Sequence, residues 1–151
     1  MDAELRELYQ ELIIDHARHP RNFALLADHT HSQEGYNPLC GDKLMLYLRV
    51  QDEVIQDISF IGEGCAISMA SASLMTEQLK GKPTTEALAL FVPMHQLMTT
   101  GGVTEAEQQA LGKLTVLGGV SEFPARVKCA TLAWHTLKGA LSGTADRVTT
   151  E

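Results

Sequence analysis

KLMLYLRVQDEVIQDISFIGEGC, residues 43–65, alternates apolar and polar positions on either side of one short polar break. Leu44, Leu46, Leu48 and Val50 recur at period two, with Lys43, Met45, Tyr47 and Arg49 on the opposite side, the pattern of a half-buried strand. Gln51-Asp52-Glu53 interrupts the run, and VIQDISFI resumes it with Val54, Ile58 and Phe60 predicted to share a face. Residues 43–61 therefore read as an antiparallel hairpin. A hairpin brings its open ends together, so Cys40 and Cys65, 25 positions apart, are expected to be neighbours in space.

Outward from the hairpin the period changes to that of helices. Gly62-Glu63-Gly64 breaks the second strand, and CAISMASASLMTEQLKGK then reads as a helix ending at Gly81. Cys65 falls at its N-terminus, where orphan amides and the helix dipole favour a thiolate. The Ala and Ser content of AISMASAS implies close packing against another element. TTEALALFVPMHQLM reads as a helix interrupted or ended near Pro93, and TEAEQQALGKL as a short helix with a capping box from Thr104 to Glu107. SEFPARVKCATLAWHTLKGAL reads as a final helix with Ser121 and Pro124 as start signals, Val127, Leu132, Trp134 and Leu137 as apolar contacts, and a loosened end from Gly139 to Gly143. Cys129 lies in its first turns.

Upstream, residues 2 to about 18 place Leu5, Leu8, Leu12 and Ile13 on an amphipathic helix that His19-Pro20 ends. Residues 23–39 show no sustained period and read as a loop or weak edge strand. The expected fold class is α+β: a small antiparallel sheet packed against several helices. No repeat, low-complexity run or linker divides residues 1–151, which are expected to form one domain.

Twelve Lys plus Arg against nineteen Asp plus Glu leave a net charge of −7, and no basic run is present, so nucleic acid is excluded as a partner. No stretch approaches the ~20 apolar residues of a membrane span, and the N-terminus is acidic and helically periodic rather than leader-like. A cytoplasmic protein is expected. Three cysteines make an odd number, so a disulfide framework explains them poorly and free thiols explain them better.

In NPLCGDKL, residues 37–44, a thiol and a carboxylate flank Gly41. A neighbouring negative charge disfavours a thiolate unless a cation sits between the two groups. Cys40, Cys65 and Cys129 with Asp42 would complete a tetrahedral zinc site, and Arg126 or Lys128 would offset its excess negative charge. No C-x-x-C pair is present, so residue chemistry alone leaves a metal site, a redox thiol site and three unrelated thiols all open. His16, His19, His29, His31, His95 and His135 have no metal-ligand company. His16 and His19 fit a helix end and His135 a surface or packing position, so a Cys–His hydrolase is a poor reading.

NPLCGDKL, GEGCAISMASASLMTE and GGVSEFPARVKCATLAW resemble the three cysteine segments of the SufU family, the zinc-containing branch of the IscU/NifU-like iron–sulfur assembly proteins. YQELIIDHARHPRNF resembles that family's opening helix and its Pro-Arg-Asn turn. The likeness covers most of residues 5–141 and is loosest over 84–115. Lys128 stands where IscU-type scaffolds carry a histidine, and the connection before Cys129 is longer than theirs; both features point to the SufU branch.

The resemblance implies a SufE/IscU-like fold and zinc held by Cys40, Asp42, Cys65 and Cys129. It implies a SufS-type cysteine desulfurase as partner, with persulfide sulfur passing to Cys40, and downstream Suf scaffold proteins as further partners. Cys40, in a loop where movement is cheapest, is then the ligand able to leave, and Arg126 serves for positioning or charge compensation. The alternative is a scaffold on which an iron–sulfur cluster is assembled by the same four residues. A purely structural zinc domain is the third reading.

Overall fold

The structure of the protein, a computed structural model, describes residues 3–143 and 147–150. The side chains of Leu5 and Leu8, half of the expected N-terminal apolar stripe, lie outside the described residues. In chain order the elements are α1 (Ala3–Arg18), β1 (His31–Asn37), β2 (Asp42–Gln51), β3 (Val54–Glu63), α2 (Ala66–Leu79), α3 (Thr84–Ala89), α4 (Phe91–Thr100), α5 (Glu105–Leu111), a 3-10 stretch (Gly112–Glu122), α6 (Pro124–Ser142) and β4 (Val148–Thr149).

The hairpin forms as the sequence indicates. Asp52 and Glu53 alone connect β2 to β3, both with positive φ (54° and 63°), the backbone that a two-residue turn needs to match the strands' twist. Leu46 faces Phe60 and Leu48 faces Ile58. Beyond Arg49 the register slips: Arg49 pairs with Asp57 but Val50 with Ile55, leaving Gln56 as the extra residue of a bulge. The bulge reverses the phase of the strand's start. Ile55, not the expected Val54, therefore joins Ile58 and Phe60 in the core, while Val54 is only half-buried.

The sheet runs β3-β2-β1-β4, with β1, β2 and β3 antiparallel. It is mixed rather than purely antiparallel, because β4 pairs parallel to β1 at Gly35 and Tyr36. Residues 31–37, expected as loop or edge, are an inner strand. Their inward positions are Gln33, Gly35 and Asn37, too polar or too small to show the period-two signature. Gly35 has no side chain because Thr136 of α6 occupies the place its Cβ would take. The outer edge of β3 is covered at Phe60, whose N–H donates to Asn22 O and whose carbonyl accepts from Ala24 N–H, both at 3.0 Å.

Helices α2 and α6 pack side by side on one face of the sheet, and α1 packs on α2. Leu46, Ile58 and Phe60 of the sheet, Met75 and Leu79 of α2, Met98 of α4 and Trp134 of α6 are fully buried in one core. The Ala and Ser run of α2 is buried nearly all round, as close packing requires. Ser71 Oγ donates to Ala130 O (2.6 Å), and Ser73 Oγ bonds both His16 Nδ1 (2.7 Å) and Arg21 N–H (2.8 Å). His16 is thus a buried packing residue as well as a member of the last turn of α1.

Four helix boundaries differ from expectation. The break between α3 and α4 lies at Leu90, and Pro93 sits in the first turn of α4, where its missing N–H has no intrahelical partner to lose. Helix α5 has the Thr104–Glu107 capping box but stops at Leu111, and residues through Glu122 continue as a 3-10 stretch. Pro124 occupies the first turn of α6 as expected, whereas Ser121 does not cap it; its hydroxyl donates to Gly118 O at 2.9 Å. Gly139 belongs to the body of α6, packed against Val148 and Gln33, and the helix ends only at Gly143 with φ +74°.

Candidate metal centre

Four residues converge at the end of the sheet where β1 turns into β2 and β3 feeds α2. The turn before β2 is closed by Gly41 N–H donating to Asn37 O (2.8 Å), and it presents Cys40 at the surface. Asp42, the first residue of β2, is fully buried. Cys65 is the N-cap of α2, its sulfur accepting from Ser68 N–H at 3.5 Å, which is the helix-terminus position the sequence indicates. Cys129, in the second turn of α6, is also fully buried.

Backbone geometry sets the carboxylate among them. Cys65 N–H donates to Asp42 Oδ1 at 2.9 Å. Gly64 permits this approach, since a Cβ there would lie 2.6 Å from the same oxygen. On the other side Asn37 Nδ2 donates to Asp42 Oδ2 (3.0 Å) and reaches Cys129 Sγ (3.6 Å).

Ligand atoms of Cys40, Asp42 and Cys129 all lie within 4.8 Å of one another, and the two sulfurs are 3.3 Å apart. Two thiolates on one tetrahedral zinc stand about 3.8 Å apart given Zn–S bonds of ~2.3 Å, so small shifts would seat the ion. Cys65 stands outside the triplet, its sulfur accepting from Ser68 N–H, yet near enough for its charge to act on the Cys129 thiol. A carboxylate buried among neutral donors is costly without a cation beside it, and three thiols complete a donor set suited to zinc. The residues present fit a divalent metal.

Burial pushes the Cys129 thiol well above the ordinary thiol range, and its contacts with Cys40, Asp42 and Cys65 add to the effect. Arg126 is exposed beside the sulfurs and held more firmly charged, first by its hydrogen bond to Cys129 and then by the charges of Cys65 and Cys129. The backbone carbonyl of Lys128 accepts from Thr150 Oγ1 at 3.3 Å. Phe91, His95 and His135 form a separate ring cluster, where burial first and the charge of His95 next lower the pKa of His135. The residue sequence reasoning missed is Asn37. An Asn before Pro reads as a turn former, which conceals a buried side chain aimed at Asp42.

Residues 8–143 match the family model described as the NifU-like N-terminal domain. The chain is 42% identical over 137 residues, 91% of each protein, to the zinc-dependent sulfurtransferase SufU of Bacillus subtilis. It is 38% identical over 144 residues to the iron–sulfur cluster assembly scaffold protein IscU of Streptococcus pyogenes, covering 95% of this chain and 89% of that one. Among solved structures, a putative iron–sulfur cluster assembly scaffold protein for the SUF system from Fervidobacterium islandicum superposes with a TM-score of 0.82 at 34% identity, over 93% of this chain and 99% of that one. By sequence, and by a fold that places all three cysteines at one end of the sheet, the chain belongs to the NifU-like N-terminal domain family of SufU- and IscU-type proteins.

Proposed function

We propose that this protein is a zinc-holding sulfur acceptor that takes persulfide sulfur from a SufS-type cysteine desulfurase for iron–sulfur cluster assembly. Cys40, Asp42, Cys65 and Cys129 would hold the zinc, which when bound keeps its thiols deprotonated and subdued as nucleophiles. The carrying observation is the unequal access of the sulfurs: Cys40 is exposed on a turn, Cys65 is half-buried at a helix cap and Cys129 is fully buried. Of the three, Cys40 is the sulfur most open to a partner's persulfide.

In the transfer the Cys40 thiolate forms a new S–S bond to the outer sulfur of the desulfurase persulfide. The persulfide's own S–S bond breaks, and the desulfurase cysteine departs as a thiolate, so no external oxidant or reductant is needed. Arg126, charged and beside the sulfurs, stabilises the anionic persulfide left on Cys40. Three free thiols converging on one site suit the reducing conditions of the cytoplasm.

The test is alanine formation by a SufS-type desulfurase given ³⁵S-cysteine, with and without this protein. Wild type is expected to raise turnover and carry label, and Cys40→Ala to do neither. Full stimulation and labelling of Cys40→Ala would overturn the assignment. Likeness to the Streptococcus pyogenes scaffold protein favours a second reading, cluster assembly on the same residues. Protein purified without oxygen decides between them: zinc is colourless, and a cluster absorbs visible light.

A further inference from the structure

Asn37 is the one described side chain that bonds both to the buried carboxylate and to a buried sulfur of the centre. It is itself fully buried, at the last position of β1, directly across the sheet from Asp42. Its backbone carbonyl closes the turn that carries Cys40, through Gly41 N–H at 2.8 Å. Its Nδ2 donates to Asp42 Oδ2 and reaches Cys129 Sγ, while its Oδ1 is buried with no partner. A fold retains a buried amide with half its capacity unused only where the other half is doing something that an apolar side chain would not.

Asp42 is held from both sides. Cys65 N–H fixes Oδ1 from the start of α2, and Asn37 fixes Oδ2 from the end of β1. Each oxygen keeps a lone pair free. Without the Asn37 donor the carboxylate would be tethered at one oxygen only, free to rotate about its side-chain torsion, and Cys129 would lose the N–H that orients its sulfur.

We infer that Asn37 is a positioning residue of the metal centre, acting through Asp42 to preorganise it for a divalent cation. The inference rests on the zinc reading given above. Hydrogen-bonding partners of metal ligands are typically worth about 10–100-fold in metal affinity, and Asn37→Ala is expected to weaken zinc binding by that factor.

Zinc affinity is measured by competition with a chromogenic chelator for wild type, Asn37→Ala, Asp42→Ala and the double variant. If Asn37 acts through Asp42, its replacement matters in the wild-type background and adds little once Asp42 is gone. Asn37→Leu keeps roughly the volume of the side chain without adding a charge, and so guards against a cavity defect, yet removes the donor facing Asp42; it is expected to weaken zinc as much as alanine does. Unchanged affinity in Asn37→Ala, an equal loss in both backgrounds, or wild-type affinity in Asn37→Leu would each overturn the inference. Wild type that binds no zinc would instead overturn the reading on which it rests.

Discussion

The Cys65 amide donates 2.9 Å to the Asp42 carboxylate, tying the first residue of β2 to the cap of α2 across 23 positions of sequence. One bond thereby locks together the two chain segments that carry three of the four proposed ligands. It also makes Asp42 a structural residue before any metal arrives.

Asp42→Ala and Asp42→Asn are therefore expected to differ. Alanine leaves the Cys65 N–H and the Asn37 amide buried without an acceptor, and stranding buried donors costs about 1–3 kcal/mol. Asparagine can still accept from Cys65, and Asn37 can turn its unpartnered oxygen toward the new amide group, so a loss below about 1 kcal/mol is expected. Urea unfolding of the metal-free variants measures the difference. Equal losses would show that the two hydrogen bonds do not stabilise the fold.

Gly64→Ala and Gly41→Ala separate two uses of glycine. A methyl at 64 would sit 2.6 Å from Asp42 Oδ1, so the carboxylate must move and about 1–3 kcal/mol of stability is lost along with most of the metal affinity. At 41 the added methyl meets nothing within 4 Å, and only the left-handed backbone (φ +73°) resists it, at about 1–2 kcal/mol. Chelator competition is the discriminating measurement: Gly41→Ala should retain an affinity closer to wild type.

Oxidation of the metal-free protein should link Cys40 to Cys129 before either pairs with Cys65, since their sulfurs are 3.3 Å apart while that of Cys65 is occupied with Ser68 N–H. Peptide mapping under non-reducing conditions identifies the bridge. Added zinc should slow its formation by occupying the thiolates. A dominant Cys40–Cys65 bridge would contradict the arrangement.

Two histidines make stability depend on pH. Burial lowers the pKa of His16 and of His135, so between the ordinary histidine value of about 6.5 and their folded values the unfolded chain binds protons that the native chain refuses. Stability is then fully present above that window and falls as the pH drops through it, with a slope of at most about 1.4 kcal/mol per pH unit for each histidine. Urea midpoints taken from pH 8 to pH 5 should show the decline, and His16→Gln should flatten part of it. A midpoint that holds steady down to pH 5 would refute the assignment.

Much of the architecture was legible because it is local. Period two through Leu44–Leu48, the capping box at Thr104 and Glu107, and Pro124 at a helix start are signals carried within a few residues, and each appears where expected. What failed to show in the sequence depended on distant neighbours. The β1 strand presents Gln33, Gly35 and Asn37 inward because α6 lies close above it, and no apolar period can announce such a strand. Ile55 replaces Val54 in the core because a bulge, visible only in the pairing with β2, reverses the phase.

The chemistry divides along the same line. Sequence by itself determined the candidate donors, three thiols and one carboxylate, and the hairpin from which Cys40 and Cys65 are expected to be neighbours. Only the tertiary structure decided that Cys129 closes on Cys40, that Asn37 and the Cys65 amide hold Asp42 from both sides, and that Arg126 lies beside the sulfurs. The physical reason is range: strand and helix periods arise from neighbours a few residues apart, whereas the burial and hydrogen bonding that define the centre come from segments as far as 92 positions apart.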